Sequence, residues 1–89
     1  MVKKITSYQF SNRFKKQYQA LPIEIQEAYD TKLELFFINM LHPSLRVKRL
    51  QGTQDRWEGS ITMKYRFIFE MSEGHVIFRT NGTHDILNR

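Results

Sequence analysis

Two alternating runs in the second half of the chain constrain its fold more than any other feature. Trp57, Gly59 and Ile61 recur with period two, with Arg56, Glu58 and Ser60 between them. Tyr65, Phe67 and Phe69 repeat the pattern against Arg66, Ile68 and Glu70. Period two is the signature of a half-buried strand, because successive side chains point to opposite faces. Ser72-Glu73-Gly74 then turns the chain back into Val76-Ile77-Phe78-Arg79, with Gly74 supplying the positive φ of a tight hairpin. Val47 to Leu50 reads as a further strand, closed by the turn Gln51-Gly52-Thr53-Gln54. The stretch from Arg46 to His84 is therefore a small antiparallel sheet that holds Lys48, Arg49, Arg56, Arg66, Arg79 and His84 in fixed relation.

The first half switches to helical spacing. Val2 to Tyr8 is short enough for an edge strand, and Ser11 is placed to cap a helix running to about Ala20. Phe10, Phe14, Tyr18 and Leu21 make one apolar stripe, while Arg13, Lys15 and Lys16 fall off it. Pro22 suits the first turn of a second helix reaching Met40, where its missing N–H is not needed. Ile25, Ala28, Tyr29, Leu33, Phe36, Phe37 and Met40 form its buried side, and Glu24, Glu27, Asp30 and Glu34 its wet side. His42-Pro43 ends it, since a residue before proline is pushed out of the helical region. The expected architecture is α+β: a helical hairpin packed on one face of the sheet, in a single domain spanning 1–89. The other sheet face is left open to a ligand.

Charge narrows the partner. Residues 1–22 carry +5 and residues 46–89 carry +3, flanking an acidic stretch of −3. Two basic segments point to an anionic partner, nucleic acid first. The chain holds no cysteine, which removes disulfides and thiolate metal sites and fits a reducing compartment. Its amino terminus does not resemble a signal peptide, and its most apolar run, Leu33 to Leu41, is broken by Glu34 and Asn39. A soluble, cytoplasmic protein is the expectation.

Most catalytic signatures are missing. The glycines are scattered, no serine sits in an elbow motif, and His42, His75 and His84 lack metal-ligand spacing. No metal or cofactor is expected. The arginines, lysines and tail histidine that remain suit phosphodiester chemistry in which RNA provides its own nucleophile, the 2′-hydroxyl. The protein then takes one proton, stabilises the phosphorane and protonates the leaving 5′-oxygen. Fixed cationic donors do the second job, and histidine, with an unperturbed pKa of about 6.5, suits the proton transfers. As a strand residue, Arg66 also has Glu58 and Glu70 as possible ion-pair partners.

Four segments in this order resemble the RelE/ParE superfamily of bacterial type II toxins. SNRFKKQYQALP at 11–22 is similar to its basic first helix, and KRLQG at 48–52 and KYRFIFE at 64–70 to two of its strands. IFRTNGTHDILN at 77–88 resembles the end of the RelE/YafQ-like mRNA interferase branch. The resemblance implies two helices on an antiparallel sheet and a cognate antitoxin that wraps and neutralises the protein. It also implies ribosome-bound mRNA lying on the open face and cut through its 2′-hydroxyl. By the same resemblance, Arg66 stabilises the scissile phosphate, and His84 is a general acid or base. Lys48 takes a place that the branch fills with histidine and related members with lysine. Arg79, with Arg49 and Arg56, is expected to hold substrate phosphates. A further histidine and aspartate of the branch fall on Ile61 and Tyr65 here, so the implied site joins the arginine of one branch to the tail histidine of another. Two other readings share the fold: a ParE-like DNA gyrase inhibitor, and an inactive antitoxin-binding domain.

Overall fold

The computed structural model describes residues 5–83. Its core is aromatic, and most of it stands on a single sheet face. Strands β3 (Arg56–Ser60), β4 (Tyr65–Ser72) and β5 (His75–Thr83) run antiparallel, and β2 (Lys48–Arg49) extends them beside β3. The alternation is realised as read. Trp57 pairs with Phe69 and Gly59 with Phe67, all turned to one side, while Glu58 pairs with Ile68 on the other. The β4–β5 hairpin turns through Glu73 and Gly74, at φ 52° and 86°, and pairs Ser72 with His75. Two successive positive φ values match the right-handed twist of the flanking strands.

One strand differs in direction from the antiparallel expectation. Strand β1 (Ser7–Phe10) lies at the sheet edge and runs parallel to β5, giving the order β1-β5-β4-β3-β2 and a mixed sheet. Apolar spacing marks a strand but carries no direction. Here most of the chain, both helices included, lies between the two partners, so either direction can be reached. The strand also starts later than Val2, and residues 1–4 lie outside those described. Phe10 belongs to it rather than to the helix, yet its ring still meets Phe14 at 5.2 Å and stacks on Phe78 at 4.7 Å.

The helices follow the expected limits closely. Helix α1 (Asn12–Gln19) starts at Ser11, whose Oγ accepts from the Phe14 N–H at 3.0 Å. Helix α2 (Ile23–Ile38) begins after Pro22, and Tyr29, Leu33 and Phe36 are its buried residues. Its acids Glu24, Glu27, Asp30 and Glu34 are all exposed. Met40, two residues beyond the helix, is buried, whereas Phe37 is turned outward. Phe36 presents its ring to the edges or faces of Phe67, Phe69 and Phe78 at 5.7, 4.9 and 5.6 Å. That contact seats the helical hairpin on the sheet.

Asn81 fastens α1 to the rim of β5. Its amide Nδ2 donates to the Phe14 carbonyl at 3.0 Å, and its backbone N–H to Gln17 Oε1 at 2.9 Å. Helix α1 thereby covers the part of β5 that β1 is too short to reach. Among the described residues no helix is long and apolar enough to cross a membrane.

Gly59 is required by close approach. A Cβ there would fall on the Phe67 ring, which lies across the glycine from the paired strand. Gly59→Ala should therefore cost about 1–3 kcal/mol through overpacking. For a domain of this size that is a fall in melting temperature of roughly 5–20 °C, read by thermal denaturation followed by circular dichroism.

Candidate functional site

With the aromatic side chains of β3 and β4 committed to the helix-covered face, the sheet's charges collect on the other. Lys48 pairs across the strands with Glu58, Glu58 with Ile68, and Ile68 with Thr80. Arg56 pairs with Glu70 one pleat away, and Ser60 with Arg66 on the opposite flank. Two carboxylates organise this face. Glu58 sits between Lys48, whose Nζ is 3.5 Å from Oε1, and Arg66, whose Nε is 3.3 Å from Oε2. Glu70 sits between Arg56 at 3.4 Å and Arg79 at 3.8 Å.

The Glu58 cluster is the more enclosed. The Glu58 side chain is 3% exposed and that of Arg66 14%, while Lys48 is 70% exposed. A buried carboxylate is costly without a cation, so the Arg66 guanidinium is held there by necessity. It is pinned further by Nη1, which donates to the Thr62 carbonyl at 2.6 Å and the Tyr65 carbonyl at 3.4 Å. With Nε and Nη1 engaged, the Nη2 hydrogens are left for an incoming anion. Glu58 Oε1 accepts no hydrogen bond among the described residues, despite the nearby Lys48 ammonium.

The backbone beneath Arg66 is anchored from the core side. The Tyr29 hydroxyl, projecting from α2, donates to the Arg66 carbonyl at 2.8 Å. Burial raises the pKa of this tyrosine well above its ordinary value of 10.0. A core residue of the second helix thus positions a charged residue on the far face.

At Arg79 the β4–β5 register slips. Ile68 pairs with Thr80 but Phe69 with Phe78, so Arg79 is an extra residue in β5. Such a bulge bends its strand and re-aims a side chain. The Ser11 hydroxyl that caps α1 donates to the Arg79 carbonyl at 2.6 Å, which ties the helix start to the bulge. Ser11, Arg13, Gln17, Arg56, Ile68, Arg79 and Thr80 line a cleft of about 280 Å³ beside it.

Of the residues selected from sequence, Lys48, Arg56, Arg66 and Arg79 share this face and meet in two ion-pair clusters. Arg49 does not join them. It pairs with Trp57, in the opposite phase, and its Nε donates to the Thr53 carbonyl at 3.3 Å. His84 lies outside the described residues. Ile61 and Tyr65, where the branch carries its further histidine and aspartate, are both packed into or against the core. His42 and His75 are hydrogen-bonded to Ser44 and Ser7 at 2.9 and 2.6 Å. Sequence reading treated Glu58 only as an ion-pair candidate for Arg66 and passed over Arg13, Gln17 and Tyr29. Glu58 was legible in principle, being in phase with Arg56 on one strand, but its burial depends on register with β2 and β4.

The link between Tyr29 and Arg66 is measurable. Tyr29→Phe should cost about 1 kcal/mol at neutral pH, read by urea denaturation. Above pH 10.0 the unfolded state loses the phenol proton while the folded state keeps it, so stability falls as pH rises. Tyr29→Phe should flatten that alkaline decline, and an unchanged slope would count against the buried phenol as its source.

No family model matches the chain, and no curated protein matches it in sequence. Its fold, however, is that of several solved toxins. The Escherichia coli DinJ–YafQ toxin–antitoxin complex aligns at TM-score 0.77 and 16% identity, over 94% of this chain and 97% of that one. RelE from the Methanococcus jannaschii RelB–RelE complex aligns at 0.73 and 20% identity, over 89% and 93%. The Staphylococcus aureus YoeB dimer aligns at 0.72 and 14%, over 91% and 98%.

Proposed function

We propose, for a chain with the fold of the RelE/ParE toxins, that it is the toxin of a type II toxin–antitoxin system acting as a ribosome-dependent mRNA endonuclease. The observation that carries this reading is the enclosed pairing of Arg66 and Lys48 about Glu58 on the open sheet face. A neutralised cognate complex with an antitoxin is part of the proposal, supported by neighbours solved as DinJ–YafQ and RelB–RelE complexes. The site of action is the cytoplasm, with message held on the ribosome.

In this mechanism the 2′-hydroxyl of the message attacks the adjacent phosphorus. Its proton passes to a base, and the P–O5′ bond breaks as the 5′-oxygen is protonated, leaving a cyclic phosphate. Charge develops on the non-bridging oxygens of the phosphorane. The Arg66 Nη2 donors meet that charge, already oriented by Glu58 and the Thr62 carbonyl, so little reorganisation accompanies the step. Lys48 adds a second positive charge from a mobile stem, and its ammonium gives way to substrate more easily than the enclosed arginine does. His84 is assigned the proton transfers, and no metal or cofactor takes part.

Primer extension on a reporter mRNA in a translating extract tests the reading. The wild-type protein should produce new stops that require translation. Arg66→Ala and His84→Ala should each weaken them by about 10²-fold or more, the range for one charge-stabilising or acid–base group. Intact message with translation running normally would overturn the endonuclease and send the protein to a gyrase supercoiling assay. Cleavage that survives both substitutions would keep the endonuclease and remove these two residues from it.

A further inference from the structure

The arginine cleft is separate from the Arg66 cluster. Along β4, Glu70 lies four residues from Arg66, roughly 14 Å at the usual strand rise of about 3.4 Å. Between them on that face lies Ile68, which is buried. Three cations reach the cleft from three elements: Arg13 from α1, Arg56 from β3 and Arg79 from the β5 bulge. One carboxylate, Glu70, answers two of them. Arg13 is exposed and has no acidic partner among the described residues.

The local backbone has been arranged to bring these groups together. Arg13 and Gln17 are four apart on α1, so they share one helix face. The Ser11 cap docks that helix on the bulge, placing the face over Arg79 and Thr80. Gln17 Oε1 is taken by the Asn81 N–H, which leaves the Nε2 hydrogens of that amide for a ligand. The Thr80 hydroxyl is buried and has no hydrogen-bond partner among the described residues. Planar arginine forks, an amide donor and a spare hydroxyl form a donor-rich set suited to phosphate oxygens.

We propose that this cleft is a second phosphate site, taking a backbone phosphate of the same RNA strand whose scissile phosphate meets Arg66. The proposal rests on the endonuclease reading for that strand, and it gives Glu70 a role. The carboxylate holds Arg56 and Arg79 apart and aimed while the site is empty, and competes with the incoming phosphate for them.

Fluorescence anisotropy with a short 2′-O-methyl RNA oligonucleotide tests it, since that probe binds without being cut. Arg13→Ala should weaken binding about fivefold at low salt. It should also reduce the slope of log affinity against log salt by about 0.7, the share of one phosphate contact on a single strand. Glu70→Gln should tighten binding, a gain that misfolding does not produce. Lys16→Ala, on the same helix but outside the cleft, should bind as wild type. The site is overturned if Arg13→Ala keeps the wild-type affinity and slope, if Lys16→Ala loses as much as Arg13→Ala, or if the wild-type protein does not bind the oligonucleotide. Cleavage in the extract is scored separately. A protein that cuts but binds independently of Arg13 loses the cleft and keeps the endonuclease. One that binds through Arg13 but cuts nothing keeps the phosphate site and loses the endonuclease.

Discussion

The Phe36 ring, set against Phe67, Phe69 and Phe78, is the contact on which the rest of the molecule depends. It draws one ring from α2 and three from two strands into a single apolar cluster. Aromatic side chains bury large areas and favour edge-to-face packing, so a short chain can build a sufficient core from few residues. Because the cluster occupies one face of the sheet, the pleat sends every intervening residue to the other. The charged face follows from the aromatic one.

On that face charge is organised rather than simply positive. Four of the cations selected from sequence are held in pairs, each pair about one glutamate. The two clusters differ in depth. Glu58 is enclosed and grips Arg66 tightly, which suits a donor that must already be in place when charge develops. Glu70 is more open and its arginines are nearly half exposed, which suits groups that exchange an internal carboxylate for an external phosphate. Between the helices and this face run two polar ties, Tyr29 to the Arg66 carbonyl and Ser11 to the Arg79 carbonyl. Through them the helical layer positions residues that it does not cover.

Agreement between sequence and structure is closest where local chemistry decides. The Ser11 cap, the limits of α1 and α2, the wet glutamates of α2 and the Glu73-Gly74 turn all follow from backbone preferences or from spacing. The direction of β1 does not, because an apolar strand reads the same in either sense. Nor does the placement of Phe10, whose spacing fits a helical stripe while its backbone pairs with Phe78. Arg49 and Lys48 are neighbours in sequence and look equivalent, yet alternation puts only Lys48 in phase with Glu58.

The sequence by itself determined the α+β class, the two sheet phases and the basic residues available to the open face, because periodicity and capping act within a few residues. Only the tertiary structure decided that Glu58 is enclosed between Lys48 and Arg66, since cross-strand register is set by three strands together. Tertiary packing likewise brought Arg13, Arg56 and Arg79 to one cleft. The docking of α1 on the β5 bulge is packing between segments more than sixty residues apart in sequence, and no local pattern carries that distance.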